Sequence, residues 1–260
     1  TGVQTCALPI SGEVEALPGT KMGGDMNSSE AAISNKITGP VSAIQNMTAL
    51  KHVDLSFTDI DGSIDDAVRG TPLLEHLDVS WSYIYSRDGL SSLSDLTGLQ
   101  RLEAGMTGLA GNFSSLSGLT SLTHLDFDRN LLIGGNMSDL GALTKLRSLN
   151  LKTTNVTGDP NVVAAMTELT ALGIIRLADP SCEAFSPVCG LYPQLSSDSL
   201  AKLPDLEHLV VENVQKGEGA GVDFRNLSKL RTLSCRKCSA EGNLSELIGE
   251  DPDLEALHLS

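Results

Sequence analysis

The chain has 260 residues, 40% of them hydrophobic, which is enough to bury a sizeable core in one or two domains. Its 33 acidic and 18 basic residues give a formal net charge of −15, which disfavours nucleic acid and anionic lipid as partners because both are negatively charged. No apolar run approaches the roughly 18 to 20 residues of a membrane span, so we expect no direct membrane insertion.

The first ten residues stand apart from the rest of the sequence. TGVQTCALPI, from Thr1 to Ile10, resembles along its whole length the translation of a common short-read sequencing adapter. We therefore interpret residues 1–10 as a non-native segment. Residues 11–36 carry a weak form of the pattern described next, and we expect degenerate N-terminal repeats there. Because the adapter-like segment stands at the N-terminus and Ser260 lies in the middle of a repeat, we expect truncation at both ends.

From residue 37 onward the sequence repeats itself with a period near 24. The motif L-x-x-L-x-L occurs about nine times, and 41 leucines against five Phe, three Tyr and one Trp fit a core built from one repeated unit. Numbering each unit from its first leucine, position 1 is occupied by Leu50, Leu74, Leu99, Leu122, Leu146, Leu169, Leu206, Leu230 and Leu254. Alternating apolar residues in each unit predict a short strand, and the units must stack because one unit cannot bury its own leucines.

A second motif follows each strand, centred on glycine. It reads ITGPV at 37–41, IDGSI at 60–64, LAGNF at 109–113 and VTGDP at 156–160, and it predicts a tight turn that directs a further apolar residue inward. Together the two motifs resemble the plant-type leucine-rich repeat family. The resemblance implies an α/β repeat solenoid: a curved array with a parallel β-sheet on the concave face and irregular or short helical convex segments.

In that family position 9 usually holds Asn, which bonds to neighbouring backbone groups. Here the hydroxyl residues Thr58, Ser82, Thr107 and Thr154 stand around Asn130 and can continue the ladder of hydrogen bonds, whereas Leu177 and Val214 cannot. An interval of 37 residues before Leu206 predicts an inserted loop near 178–200. Within it, Cys182 and Cys189 are a disulfide candidate in an oxidising compartment, the alternative being two free thiols.

Cys235 and Cys238 form a C-x-x-C motif. The register of the repeats places Cys235 inward, so we interpret the pair as structural rather than as a metal or redox site.

No catalytic constellation is recognisable, so we predict a protein that is not an enzyme, with no cofactor and no metal site. The outward positions 3, 5 and 8 instead predict a binding surface. In the first four units they are His52, Asp54, Phe57, His76, Asp78, Trp81, Arg101, Glu103, Met106, His124, Asp126 and Arg129. The alternatives are a solvated ladder of cross-strand pairs and a metal site built from imidazoles and carboxylates.

Seven N-x-S/T sequons occur where chance predicts about two, which favours an extracellular or cell-surface glycoprotein. The candidate residues are Asn27, Asn46, Asn112, Asn136, Asn155, Asn226 and Asn243. The alternative is that the repeat consensus itself creates the pattern in a cytoplasmic protein.

These observations predict a module that recognises a protein, peptide or glycan through its concave face. The alternatives are an intracellular scaffold or regulatory domain, and the sensor part of a larger receptor enzyme such as a kinase.

Overall fold

The structure, a computed structural model, describes residues 35–174, 195–212, 224–236, 248 and 254–259. Nine short parallel strands within these ranges form one sheet, and their order in the sheet follows their order in the chain. This is the α/β repeat solenoid that the sequence predicts, and we call the sheet the concave sheet. Its strands are His52–Asp54, His76–Asp78, Arg101–Glu103, His124–Asp126, Ser148–Asn150, Ala171–Ile174, His208–Glu212, Thr232–Arg236 and Ala256–Leu259.

The register of the concave sheet matches the spacing of the leucines. His52 pairs with His76, His76 with Arg101, and Arg101 with His124, so equivalent positions of successive units lie side by side. The pairing continues across the long interval, where Ala171 lies opposite His208. The 37-residue spacing therefore leaves the sheet unbroken between these two strands.

The core is a column of leucines. Position 1 leucines from Leu74 to Leu230 are at most 3% exposed, whereas those of the end units, Leu50 and Leu254, are only partly buried. This difference follows from the architecture, because an inner unit is covered on both sides and an end unit on one side within the described residues.

The glycine motif builds more than a turn. Its segments pair as two small parallel sheets beside the concave sheet: Asn35–Pro40, Thr58–Ser63 and Tyr83–Tyr85 form one, and Gly111–Asn112, Ile133–Asn136 and Asn155–Thr157 form the other. We call them the flank sheets, and the sequence did not predict them. The glycine is required at Gly135, where φ is +125° and an added Cβ would lie 2.6 Å from Asn112 Oδ1.

Short helices follow the flank strands on the convex side, as predicted. Five are 3₁₀ helices, Val41–Ile44, Gly89–Leu93, Phe113–Leu116, Met137–Leu140 and Pro160–Ala165, and two are α-helical, Ile64–Val68 and Ser197–Leu200. Three 3₁₀ helices begin with a side-chain cap: the oxygens of Asn112, Asn136 and Asp159 accept hydrogen bonds from the backbone two residues on.

The two flank sheets are separated by a bulge. The interval from Ile84 to Leu90 is two residues longer than the equivalent interval from Ile60 to Ile64. A single backbone bridge, between Tyr85 and Gly108, connects the two flank sheets. The buried Asp65 holds the bulge, since its Oδ2 accepts the Arg87 N–H at 2.7 Å. Burial acts to raise the pKa of Asp65, but hydrogen bonds from the Ser63 hydroxyl and from the backbone N–H groups of Arg87 and Asp88 outweigh it and lower that pKa.

The position 9 side chains do not form one continuous ladder. The hydroxyls of Thr58, Ser82 and Thr154 donate to the carbonyl three residues earlier, within their own unit. Asn130 alone among the described position 9 residues reaches the preceding unit, where its Nδ2 donates to Ala104 O at 2.6 Å and its Oδ1 accepts the Thr107 N–H at 3.0 Å. The asparagine therefore joins two units, whereas the hydroxyls of Thr58, Ser82 and Thr154 close their own turns.

Several sequence predictions fall outside the described residues. They are the segment 1–10, most of 11–36, the inserted loop as far as residue 194, and the Cys182–Cys189 pair. The end of the predicted insertion is described and belongs to the repeat, since Leu195 and Leu200 are buried in the core. Cys235 is fully buried, as the register predicted, and it is disulfide-bonded.

Truncating a core leucine should cost far more than truncating an exposed one. Leu77 is 2% exposed, and we expect Leu77→Ala to lower the free energy of unfolding by about 2 to 5 kcal/mol because it leaves a cavity. Leu73, which is 54% exposed, is the matched control and should change it by less than about 0.5 kcal/mol. Urea unfolding followed by circular dichroism measures both, and similar values for the two variants would contradict the register.

Asn130→Ala should destabilise the array more than Thr154→Ala. Asn130 is 2% exposed, and its loss leaves the Thr107 N–H without its partner, at a cost of about 2 kcal/mol. Thr154→Ala removes one hydrogen bond within a single turn and should cost about 1 kcal/mol. The same unfolding measurement orders the two variants, and a larger loss for Thr154→Ala would refute the bridging role of Asn130.

Candidate functional site

Position 3 of the first four units forms a row of nitrogen-bearing side chains across the concave sheet. His52 is exposed, and its in-register neighbours His76, Arg101 and His124 are half-buried. The structure thus places all four side chains on one face of one sheet. Further along the sheet, position 3 is occupied by small residues, Ser148 and Ala171, in the next two units.

The first two histidines of this row contact each other. Their Nδ1 atoms are 3.0 Å apart, and the rings meet edge to face with centroids 4.3 Å apart. Burial, together with the charges of His52 and Arg101, lowers the pKa of His76. In this contact one Nδ1 carries a hydrogen and the other accepts it. If both Nδ1 atoms carried a hydrogen, the hydrogen bond would be lost.

His124 is also held in its neutral form. Burial and the neighbouring Arg101 lower its pKa to about 4, and its Nδ1 lies 2.8 Å from the Thr123 hydroxyl. His208 is similar, since burial lowers its pKa and its Nδ1 lies 2.9 Å from the Thr232 hydroxyl. At neutral pH these rings act as hydrogen-bonding groups rather than as cations.

The aspartates at position 5 have a structural role. Asp54, Asp78 and Asp126 each accept a hydrogen bond from the backbone N–H two residues later, at 3.0, 2.8 and 2.8 Å. Each carboxylate thereby closes the turn that ends its strand, as Asx residues do in loops. The sequence analysis did not recognise this role, although the recurring Asp-x-Ser or Asp-x-Asp spacing carried the signal.

Two of these acids are poorly solvated. Burial raises the pKa of Asp78 to about 7, and the neighbouring Glu103 carboxylate contributes to the increase. Burial likewise raises the pKa of Asp126 to about 6, although Asn150 Nδ2 donates to it at 2.9 Å. Glu103 forms an ion pair with Arg101 of its own strand. The middle of the concave face is therefore occupied by groups that already satisfy one another.

Position 8 has an unusual backbone and an exposed surface. Phe57, Trp81, Met106, Arg129 and Thr153 all have positive φ, between 53° and 60°. Bulky L-residues adopt this left-handed conformation at a cost of about 1 to 2 kcal/mol each. Five consecutive units thus place a side chain at the edge of the concave sheet on a strained backbone.

The first two of these side chains form a stack that we call the aromatic rim, consisting of Phe57 and Trp81. The ring centroids are 5.7 Å apart with an interplanar angle of 12°, and the residues are 44% and 40% exposed. Met106 is half-buried and Arg129 is exposed beside them in the following units. The rim combines strain, mutual stacking and exposed apolar area, which core packing alone does not require.

The described sequon asparagines are all on the surface. Asn46, Asn155 and Asn226 are exposed, and so are Asn112 and Asn136. Asn112 and Asn136 differ from the others because each caps a 3₁₀ helix. Each also lies against the glycine of the next unit, since a Cβ added to Gly135 would lie 3.1 Å from Asn112 Nδ2 and one added to Gly158 would lie 3.1 Å from Asn136 Nδ2. Asn27 and Asn243 lie outside the described residues.

Over the described ranges, no group of three or more His, Cys, Asp or Glu side chains is placed to hold a metal ion. In the same ranges, no helix has the length and hydropathy needed to cross a membrane.

Comparison with solved structures identifies the fold. Internalin C2 from Listeria monocytogenes superposes with a TM-score of 0.55 at 20% identity, covering 79% of each chain. A leucine-rich repeat protein from Leptospira interrogans gives 0.61 at 17% identity and covers 86% of this chain and 52% of that one.

The ectodomain of the Arabidopsis thaliana membrane receptor kinase GASSHO1/SCHENGEN3 gives a TM-score of 0.61 at 17% identity, with 86% of this chain aligned to 28% of the receptor chain. No protein-family model and no curated protein matches the sequence. At these identities the likeness concerns architecture, and its conclusion is that the chain folds as a leucine-rich repeat solenoid.

Proposed function

We propose that the protein is a non-enzymatic binding module that recognises a protein or peptide through the concave face, with the aromatic rim as its anchor. The observation that carries this proposal is the stack of Phe57 on Trp81 at 40% exposure or more, on backbone of positive φ. Exposed, pre-stacked aromatics lose little conformational freedom on binding and are common centres of binding energy.

The strain at position 8 strengthens this interpretation. Asn and Gly adopt positive φ at low cost, so a sequence selected only for stability would favour them over Phe and Trp. Large aromatic residues at two successive strained positions therefore favour a role outside folding. The half-buried Met106 and exposed Arg129 extend the rim toward the middle units, which gives it an apolar end and a cationic end.

The likeness to known binding proteins supports the same function. One of the similar structures is a plant receptor ectodomain in complex with CASPARIAN STRIP INTEGRITY FACTOR 2. A glycan ligand is the second candidate for the rim, because aromatic faces also stack on sugar rings. The peptide is favoured because the exposed Arg129 and the exposed Asp54 supply charges of both signs on one face.

We propose an extracellular or cell-surface location. Five exposed sequon asparagines and the disulfide at Cys235 support it, since disulfides persist in oxidising compartments. A cytoplasmic scaffold is the alternative, and the helix-capping roles of Asn112 and Asn136 favour it, because capping explains two sequon asparagines without glycosylation. A sensor attached to an enzyme domain such as a kinase is a third arrangement that uses the same binding face.

Replacing the rim by asparagine should abolish binding without unfolding the array. In Phe57→Asn and Trp81→Asn the loss of the stack, about 0.5 to 1.5 kcal/mol, is offset by relief of backbone strain, so the free energy of unfolding should change by less than about 1 kcal/mol. Peptides selected from a displayed random library on the wild-type protein should lose at least about tenfold in affinity for either variant.

Tyr83→Asn is the matched control, because Tyr83 is 70% exposed but lies in a flank sheet. It should bind the selected peptides like the wild type. Trp81 is the chain's single tryptophan, so its fluorescence should shift in proportion to occupancy of the rim. Peptides that bind equally to the Asn variants, with no change in Trp81 emission, would place the site elsewhere.

Glycosylation should distinguish the two locations. If the protein is secreted, expression in a eukaryotic secretory host should give a product whose mobility increases on treatment with N-glycosidase. Peptide mapping by mass spectrometry should find glycans at Asn46 and Asn226, because glycans at Asn112 and Asn136 would crowd Gly135 and Gly158 of the next unit. A folded, secreted and wholly unmodified product would favour the cytoplasmic alternative.

A further inference from the structure

The His52–His76 contact has the geometry of a chelate. The two residues lie directly opposite each other on adjacent parallel strands, so the sheet register fixes their backbone separation. Their Nδ1 atoms approach to 3.0 Å, and the ring planes are inclined by 77°. Both nitrogens therefore face the same small volume above the sheet, and the exposed His52 leaves that volume open to solvent.

The separation of the nitrogens selects among metal geometries. Imidazole nitrogen binds divalent metals at about 2.0 to 2.1 Å, so two nitrogens 3.0 Å apart subtend an angle of about 90 to 100° at a shared ion. Adjacent ligands in square-planar or octahedral coordination subtend an angle of this size at the metal. Tetrahedral coordination would need nitrogens about 3.4 Å apart.

We propose that His52 and His76 form a two-histidine site for a divalent transition metal that favours tetragonal coordination by nitrogen and oxygen, namely Cu²⁺ or Ni²⁺. Water supplies the remaining ligands, since no third His, Cys, Asp or Glu side chain of the described residues joins the pair. The site is open and exchangeable, unlike a structural metal centre that protein ligands close on all sides.

The protonation state of the pair suits this exchange. The hydrogen bond keeps one hydrogen between the two Nδ1 atoms, and a bound metal takes its place. Both rings then coordinate through Nδ1 and carry their hydrogen on Nε2, so a neutral pair changes tautomer without net release of a proton.

The charges around the pair do not oppose a cation. The charged side chains on the same strands and the neighbouring one are Lys51, Asp54, Glu75, Asp78, Arg101 and Glu103. Lys51 Nζ lies 2.6 Å from Glu75 Oε1, and Arg101 forms an ion pair with Glu103, so both nearby cations are compensated. Asp54 then leaves the surroundings acidic, as the chain is as a whole.

Titration calorimetry with Ni²⁺ on the full chain tests the proposal. The wild type should bind one equivalent near neutral pH, and His52→Ala or His76→Ala should each weaken binding by roughly tenfold or more. His124→Ala is the matched control, because His124 lies in the same row but contacts Thr123 instead. Mg²⁺ should not bind, since it prefers oxygen ligands.

Far-UV circular dichroism of each variant establishes that the array remains folded. Phe57→Asn should retain metal binding, so this proposal and the rim proposal fail separately. Absence of binding by the wild type, equal binding by a folded His52→Ala/His76→Ala double variant, or an equal loss in His124→Ala would each overturn it.

Discussion

The in-register stacking of parallel strands is the constraint on which the rest of the structure depends. One unit of about 24 residues has too little interior to bury its own leucines, so each unit is stable only between neighbours. Pairing His52 with His76, or Ala171 with His208, fixes which residues point inward and which face solvent. The core column, the row of histidines and the aromatic rim are all consequences of that single register.

The concave face then divides between structure and recognition. The acids of position 5 close the turns behind their strands, and burial lowers the pKa values of His124 and His208 and so keeps both rings neutral. The side chains that remain available are at the first units and along the edge, where Phe57, Trp81 and His52 are exposed. The proposed binding residues are therefore those whose side chains have the smallest role in holding the fold.

The sequence predicted the repeats, their register and the inward residues, because burial of leucine with a fixed period leaves a direct trace in the order of residues. It did not predict the flank sheets, since short segments such as Tyr83–Tyr85 form strands only through pairing with another unit. Nor could it show that Phe57 and Trp81 share positive φ, or that His52 and His76 meet through Nδ1, because backbone angles and rotamers depend on packing.

The bulge between Ile84 and Leu90 has a mechanical consequence. Elsewhere in the first five units, neighbouring repeats are joined by both the concave sheet and a flank sheet, but across the bulge the Tyr85–Gly108 bridge and the hydrogen bonds between the Ser86 hydroxyl and the Ala110 backbone replace the flank pairing. An array of repeats that is joined by two sheets should bend most easily where one of the two sheets is interrupted. The curvature of the solenoid is therefore least constrained by flank pairing between the second and third units, while the concave sheet still joins them there through the hydrogen bond from Trp81 N–H to Gly105 O at 2.9 Å.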